Sequence, residues 1–93
     1  MTKMDYIMNN MQVILDTANA EIKSYGVRLD TIMLTNCLGD TYDAKFIFSA
    51  ESNPSYGNKQ SIERIVRSVL QDFVSRNIPS TYRMNRSEYV YYF

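Results

Sequence analysis

Apolar residues recur at every third or fourth position in two stretches of the chain, and this period predicts two amphipathic helices. The first helix is predicted over residues 2–25, with Gly26 supplying the left-handed residue that commonly follows a helix. The second follows a predicted loop over residues 52–60; it begins after Ser61, a good N-cap, and ends before Pro79. Its apolar face consists of Ile62, Ile65, Val66, Val69, Leu70, Phe73 and Val74.

Alternation of apolar and polar residues predicts strands in the other stretches. Residues 27–38 and 44–51 are joined by a segment rich in turn formers, so we expect them to form a hairpin. Residues 80–93 are predicted to be extended. They form either one long strand or a tight hairpin around Asn85 and Arg86.

The predicted order is helix, strand, strand, helix, and then one or two strands. Since each helix has a single apolar face, both helices can pack on the same side of an antiparallel sheet. We therefore predict the α+β class, as a two-layer sandwich with an antiparallel sheet of three to four strands and two helices on one face. The 93 residues have the length of one domain, which we place over residues 1–93.

The side-chain inventory argues against an enzyme. The sequence has no histidine, which removes the commonest general base and metal ligand. Cys37 is its only cysteine and is expected to pack at the end of a strand. We expect no catalytic residue, no cofactor and no metal site. We also expect no membrane association and a cytoplasmic location, because no apolar run approaches the roughly 20 residues of a membrane helix.

The formal charge is zero overall but unevenly distributed: residues 1–58 carry −3 and residues 59–86 carry +4. Neutrality leaves little self-repulsion, so the composition is compatible with a homo-oligomer. The basic half allows an alternative function, nucleic-acid binding through Arg64, Arg67, Arg76, Arg83 and Arg86. We place this alternative second, because recognised RNA-binding modules are basic as whole domains.

The C-terminal strand carries large residues on both alternating faces, although a strand with one face in water should alternate apolar with polar residues. If Val90 and Tyr92 pack under the helices, the other side lies on the open face of the sheet; the alternative is an unusual packing of both sides within the domain. An exposed aromatic patch of this kind is typical of a protein interface. The predicted partner-binding residues are therefore Tyr89, Tyr91 and Phe93, with Arg83 and Arg86 at the rim.

These patterns predict a small non-enzymatic interaction protein that binds another macromolecule, with a protein as the favoured partner. The binding surface would be a tyrosine-rich sheet face, to which Met33, Tyr42 and Ile47 are also expected to contribute. A binding domain without catalytic groups would suit an adaptor or an inhibitor, for example one encoded by a phage or another mobile element.

Overall fold

The computed structural model describes residues 3–39, 41–52, 56–75, 77–80, 83–84 and 87–93. Its elements follow one another as α1 (Lys3–Asn9), α2 (Met11–Ile22), β1 (Leu29–Leu38), β2 (Thr41–Phe48), α3 (Tyr56–Val74), β3 (Arg83–Met84) and β4 (Glu88–Tyr92). A short 3-10 turn over Lys23–Tyr25 follows α2. This order confirms the predicted α+β class, and the last extended segment is a hairpin.

Helices α1 and α2 together occupy the first predicted helix, which is interrupted at Asn10. The side-chain amide of Asn10 donates to the carbonyl oxygen of Tyr6 at 2.8 Å. Its backbone N–H is shared between the carbonyls of Tyr6 and Ile7, at 3.2 and 3.1 Å. Asparagine side chains compete for backbone groups in this way, so the regular helical ladder stops here. Gly26, with a φ of 72°, adopts the left-handed conformation predicted for it.

The four strands form one antiparallel sheet in the order β1-β2-β4-β3. Strands β1 and β2 are the predicted first hairpin, and β4 pairs with both β2 and the two-residue strand β3. The predicted turn residues Asn85 and Arg86 lie outside the described residues. The ten-residue strand β1 is therefore one edge of the sheet and β3 is the other.

Helix α3 begins at Tyr56, before the predicted N-cap Ser61, so the loop predicted over residues 52–60 is wrong in its second half. The density of Asn, Gly and Ser made this stretch resemble a loop. Helix propensity is a weak local preference, however, and tertiary packing overrides it. The extra turn brings the carbonyl of Lys59 over the sheet, where it accepts a hydrogen bond from Tyr89.

Helix α3 ends at Val74, before the stop predicted from Pro79. Ser75 has a positive φ of 55° and takes the left-handed position that a glycine more often occupies. The chain beyond the helix is held against it, because the backbone N–H of Ile78 donates to Gln71 Oε1 at 2.8 Å. Ile78 is thereby fixed in the core, where its side chain is buried.

The hydrophobic core lies between the helices and one face of the sheet, as the two-layer prediction requires. The helices contribute Ile7, Ile14, Leu15, Ala18, Ile22, Ile62, Val66, Val69 and Leu70. The sheet and its C-terminal end contribute Leu29, Ile32, Tyr42, Ala44, Phe46, Phe48, Tyr89, Tyr91 and Phe93. Among the described elements, no helix covers the opposite face of the sheet, which we call the open face.

Candidate functional site

Tyr89 and Tyr91 of β4, and Phe93 directly after it, lie in the core, so their predicted place on the open face is wrong. Tyr89, Tyr91 and Phe93 are at most 7% exposed. Pairing with β2 fixes this direction, since Tyr89 lies opposite Phe46, which is itself buried under the helices. Directly opposed residues in an antiparallel pair point to the same face. Tyr42 is also part of the core, so its predicted contribution to the open face is wrong for the same reason.

The core tyrosines and phenylalanines contact one another across β2 and the C-terminal end of the chain. Tyr91 meets Phe46 and Tyr89 meets Phe48 in edge-to-face pairs, with ring centroids 5.7 and 4.9 Å apart. Such pairs contribute about 0.5–1.5 kcal/mol beyond the area that they bury. The aromatic tail, Tyr89, Tyr91 and Phe93, therefore stabilises the packing of β4 on β2 within the core.

Helix α3 accepts the hydrogen bonds of both buried tyrosines. Tyr89 Oη donates to the carbonyl oxygen of Lys59, and Tyr91 Oη donates to that of Glu63, each at 3.2 Å. A tyrosine has an apolar ring and a polar tip, so it can face a core when the tip finds an acceptor. These two hydrogen bonds explain how a strand with two tyrosine hydroxyls directed at the core can pack under a helix.

A buried glutamate, paired with a partly exposed arginine, lies beside these hydroxyls. Glu63 is 4% exposed, and its Oε1 is 3.3 Å from Arg67 Nε and accepts a hydrogen bond from Ser80 Oγ at 3.2 Å. Burial, reinforced by the Glu63 charge, raises the pKa of Tyr89 to about 12 and raises the pKa of Tyr91 as well. Both phenols therefore keep their protons at neutral pH and act as hydrogen-bond donors. The cluster is structural, since its carboxylate is already paired.

The register places on the open face the side chains of Thr31, Met33, Thr35, Asp43, Lys45, Ile47, Glu88, Val90 and Tyr92. Val90 is buried there, at 1% exposed, so it adds no accessible surface. Met33, Lys45 and Val90 form one row across three strands. Met33 is 52% exposed and Tyr92 is 44% exposed. The predicted core position of Tyr92 is therefore wrong. Val90 is buried as predicted, but its register with Lys45 places it on the open-face side and not in the core cluster under the helices. The expected positions of Met33 and Ile47 on the open face are confirmed.

Charges of both signs accompany the apolar residues of the open face. Lys45 is half-buried between Met33 and Val90, where its aliphatic stem can extend the apolar area. Asp43 lies opposite Tyr92 and accepts a weak hydrogen bond from Cys37 Sγ at 3.8 Å. Cys37 is exposed, so its expected packing is wrong.

The arginines of the nucleic-acid alternative that the structure describes are distributed over both layers of the fold. Arg64 is exposed on α3, whereas Arg67 is engaged by the carboxylate of Glu63. Arg83 belongs to β3, in the sheet rather than in the helical layer. The other two arginines of the nucleic-acid alternative, Arg76 and Arg86, lie outside the described residues.

A shallow groove of about 470 Å³ lies on the helical layer, lined by Glu21, Arg64, Ile65 and Ser68. Glu21 and Arg64 place opposite charges in this groove. A phosphate would meet the carboxylate as well as the guanidinium, so the groove is poorly suited to a nucleic-acid backbone.

Within the described part of the chain, no helix is long and apolar enough to cross a membrane. No group of three or more cysteine, aspartate or glutamate side chains gathers there into a metal site. Comparisons with protein-family models, with curated proteins and with solved structures find no match for the chain.

Proposed function

We propose that this protein is a non-enzymatic interaction protein, of the adaptor or inhibitor type, that binds a protein partner through the open face of its sheet. One observation carries the proposal. Met33 and Tyr92 remain about half exposed on the open face, in neighbouring rows of the sheet, and Ile47 is partly exposed in the row on the other side of Met33. Methionine and tyrosine are among the residues enriched in protein interfaces, and tyrosine is a frequent binding hot spot.

The charges on the open face favour a protein over a nucleic acid as the partner. The described side chains of the open face carry three charges, from Asp43, Glu88 and Lys45, and Arg83 of β3 lies opposite Val90 in the register. A phosphate backbone would therefore meet charges of both signs there and gain little. A protein surface with an apolar centre and side chains of both signs can match Met33 and Tyr92 together with these three charges. The proposed function needs no cofactor, and we place it in the cytoplasm.

The proposal is tested by comparing two charge insertions at exposed apolar positions. Tyr92→Glu disturbs the open face, whereas Val13→Glu places the same charge on helix α2, where Val13 is 51% exposed. The immobilised full-length chain is incubated with an extract of its source organism, and retained proteins are identified by mass spectrometry. We expect a protein that is retained by the wild type and by Val13→Glu but lost with Tyr92→Glu.

Circular dichroism of both variants verifies that the fold is intact. Retention of the same proteins by Tyr92→Glu and the wild type would refute the role of the open face.

A second experiment, which measures how oligonucleotide binding depends on salt, separates our proposal from the nucleic-acid alternative. Binding of a labelled single-stranded oligonucleotide is followed by fluorescence anisotropy at low and at physiological salt. Phosphate contacts weaken steeply with salt, whereas a contact anchored by Tyr92 should not. Oligonucleotide binding that persists at physiological salt and is lost with Arg64→Ala plus Arg83→Ala would replace our proposal with the alternative.

A further inference from the structure

The two edges of the sheet differ greatly in their capacity to pair with another strand. Strand β3 is two residues long, whereas β1 is ten residues long. An edge strand exposes backbone N–H and C=O groups and can template a further strand unless it is short, charged or covered. The longest strand of the fold is therefore at the edge where pairing is easiest.

The hydrogen-bond pattern shows which groups of β1 point outward. The backbone N–H and C=O of Tyr42 both bond to Phe93, at 2.7 and 2.9 Å, so Tyr42 directs its backbone away from β1. Direction alternates along an antiparallel strand, so Asp43, Lys45 and Ile47 direct theirs toward β1. Their register partners are Thr31, Met33 and Thr35. It follows that the intervening residues Ile32, Leu34 and Asn36 direct their backbone groups away from the sheet.

The N-terminal end of this edge is already closed. The side chain of Asn19 on α2 accepts from the N–H of Leu29 at 2.7 Å and donates to its carbonyl at 3.1 Å. An irregularity in register follows at position 30. The outward N–H and C=O groups of Ile32 and Leu34 form no hydrogen bond with any other residue that the structure describes.

The unpaired part of the edge has a composition suited to strand pairing. Residues 31–36 contain no charged residue, no proline and no glycine. Charged side chains and proline are among the features that protect natural edge strands from such pairing. Met33 is half exposed at the middle of the segment, with a threonine two residues away on each side.

We propose that this edge pairs with the same edge of a second copy of the chain, antiparallel and about a two-fold axis at Met33. Ile32 of each copy then exchanges both of its backbone hydrogen bonds with Leu34 of the other copy. On the open face, Met33 lies opposite its own counterpart and Thr31 lies opposite Thr35. The two sheets become one continuous sheet with all helices on the same side.

Three features make a second copy the occupant of this edge. A two-fold contact must be self-complementary, and this register brings methionine to methionine and threonine to threonine. The formal net charge of zero leaves no overall repulsion between copies. Asp30, the one charged residue of β1, lies opposite Asn36 of the other copy and not opposite another acid.

A charge-swap experiment tests both the edge and its register. The mass of the full-length chain is measured by light scattering after size-exclusion chromatography, from roughly 1 µM to 1 mM, because a short strand contact is a small interface. We expect a concentration-dependent dimer for the wild type. Met33→Lys and Met33→Glu should each be monomeric, because like charges meet at the axis. An equimolar mixture of the two should restore the dimer.

Matched controls use Met8, which is 56% exposed on α1. Met8→Lys and Met8→Glu should dimerise like the wild type, and so should Tyr92→Glu. A wild type that stays monomeric at the highest concentration would refute the inference, as would a monomer that instead captures an extended segment of another protein at β1. Failure of the Lys and Glu variants to restore the dimer when mixed would refute the register. None of these results depends on the proposed partner of the open face.

Discussion

Replacing each of two adjacent tyrosines of β4 with alanine should change the free energy of unfolding by very different amounts, because the strand directs the two side chains to opposite faces. Tyr91 is 1% exposed, packs edge-to-face on Phe46 with centroids 5.7 Å apart, and donates to α3. Replacing a buried aromatic residue with alanine costs about 3–5 kcal/mol. A chain of 93 residues has a free energy of unfolding of about 5–14 kcal/mol. Tyr91→Ala should therefore remove a large part of the total stability.

Tyr92→Ala is the matched control, because Tyr92 is 44% exposed on the open face. Its cost should stay within about 0.5–1 kcal/mol, as is usual for surface positions. The assay is urea denaturation followed by far-ultraviolet circular dichroism, with the midpoint and the slope compared among variants. Should Tyr91→Ala fail to fold, Tyr91→Phe isolates the hydroxyl and should cost about 1 kcal/mol. A larger loss of stability with Tyr92→Ala than with Tyr91→Ala would contradict the placement of Tyr91 in the core and of Tyr92 on the open face.

Two further stability measurements test contacts between layers of the fold. Asn19→Ala should cost about 1–3 kcal/mol, because it leaves the N–H and C=O of Leu29 without their partner; Asn36→Ala, which loses only an exposed bond to Gly39, is the control. Equal urea midpoints for these two variants would contradict this role of Asn19. Stability should also fall between about pH 10 and 12. The unfolded chain releases the Tyr89 proton near the ordinary pKa of 10.0, whereas the folded chain holds it until the pKa of about 12, so the stabilisation present below pH 10 is lost as the pH rises. The slope for this residue is at most about 1.4 kcal/mol per pH unit, and Tyr89→Phe should reduce it; an unchanged slope in that variant would show that other groups cause the loss.

The periodic parts of the chain were predictable because each has a single apolar face. The apolar residues of α3 repeat with a helical period, and every second side chain of β2 is buried while those between are exposed or partly buried. Strand β4 has no such asymmetry, since Tyr89, Val90 and Tyr91 are all buried. The register with β2 and the carbonyl oxygens of α3 that accept the tyrosine hydrogen bonds decide which side of β4 faces the core. Neither is visible in the local sequence.

Other features depend on contacts between distant residues and could not be predicted for the same reason. Asn19 and Leu29 are joined only after α2 has packed beside β1. Glu63 has the appearance of an ordinary first-turn acid in the sequence, yet it is buried with Arg67 as its partner. Asn10 offered a local signal, because asparagine favours competing backbone bonds within a helix. A regular hydrophobic period on both sides of it concealed the break.

The burial of the aromatic tail determines where function can be sought. Tyr89, Tyr91 and Phe93 are committed to the core, so they offer no contact to a partner, and the surfaces proposed for binding are the open face and the edge at β1. Met33 belongs to both surfaces, whereas Tyr92 lies two strands away from that edge. Pairing at β1 would join two open faces into one larger surface with Met33 at its centre and Tyr92 toward each side. A change at Tyr92 therefore separates partner binding from self-association, while a change at Met33 should affect both.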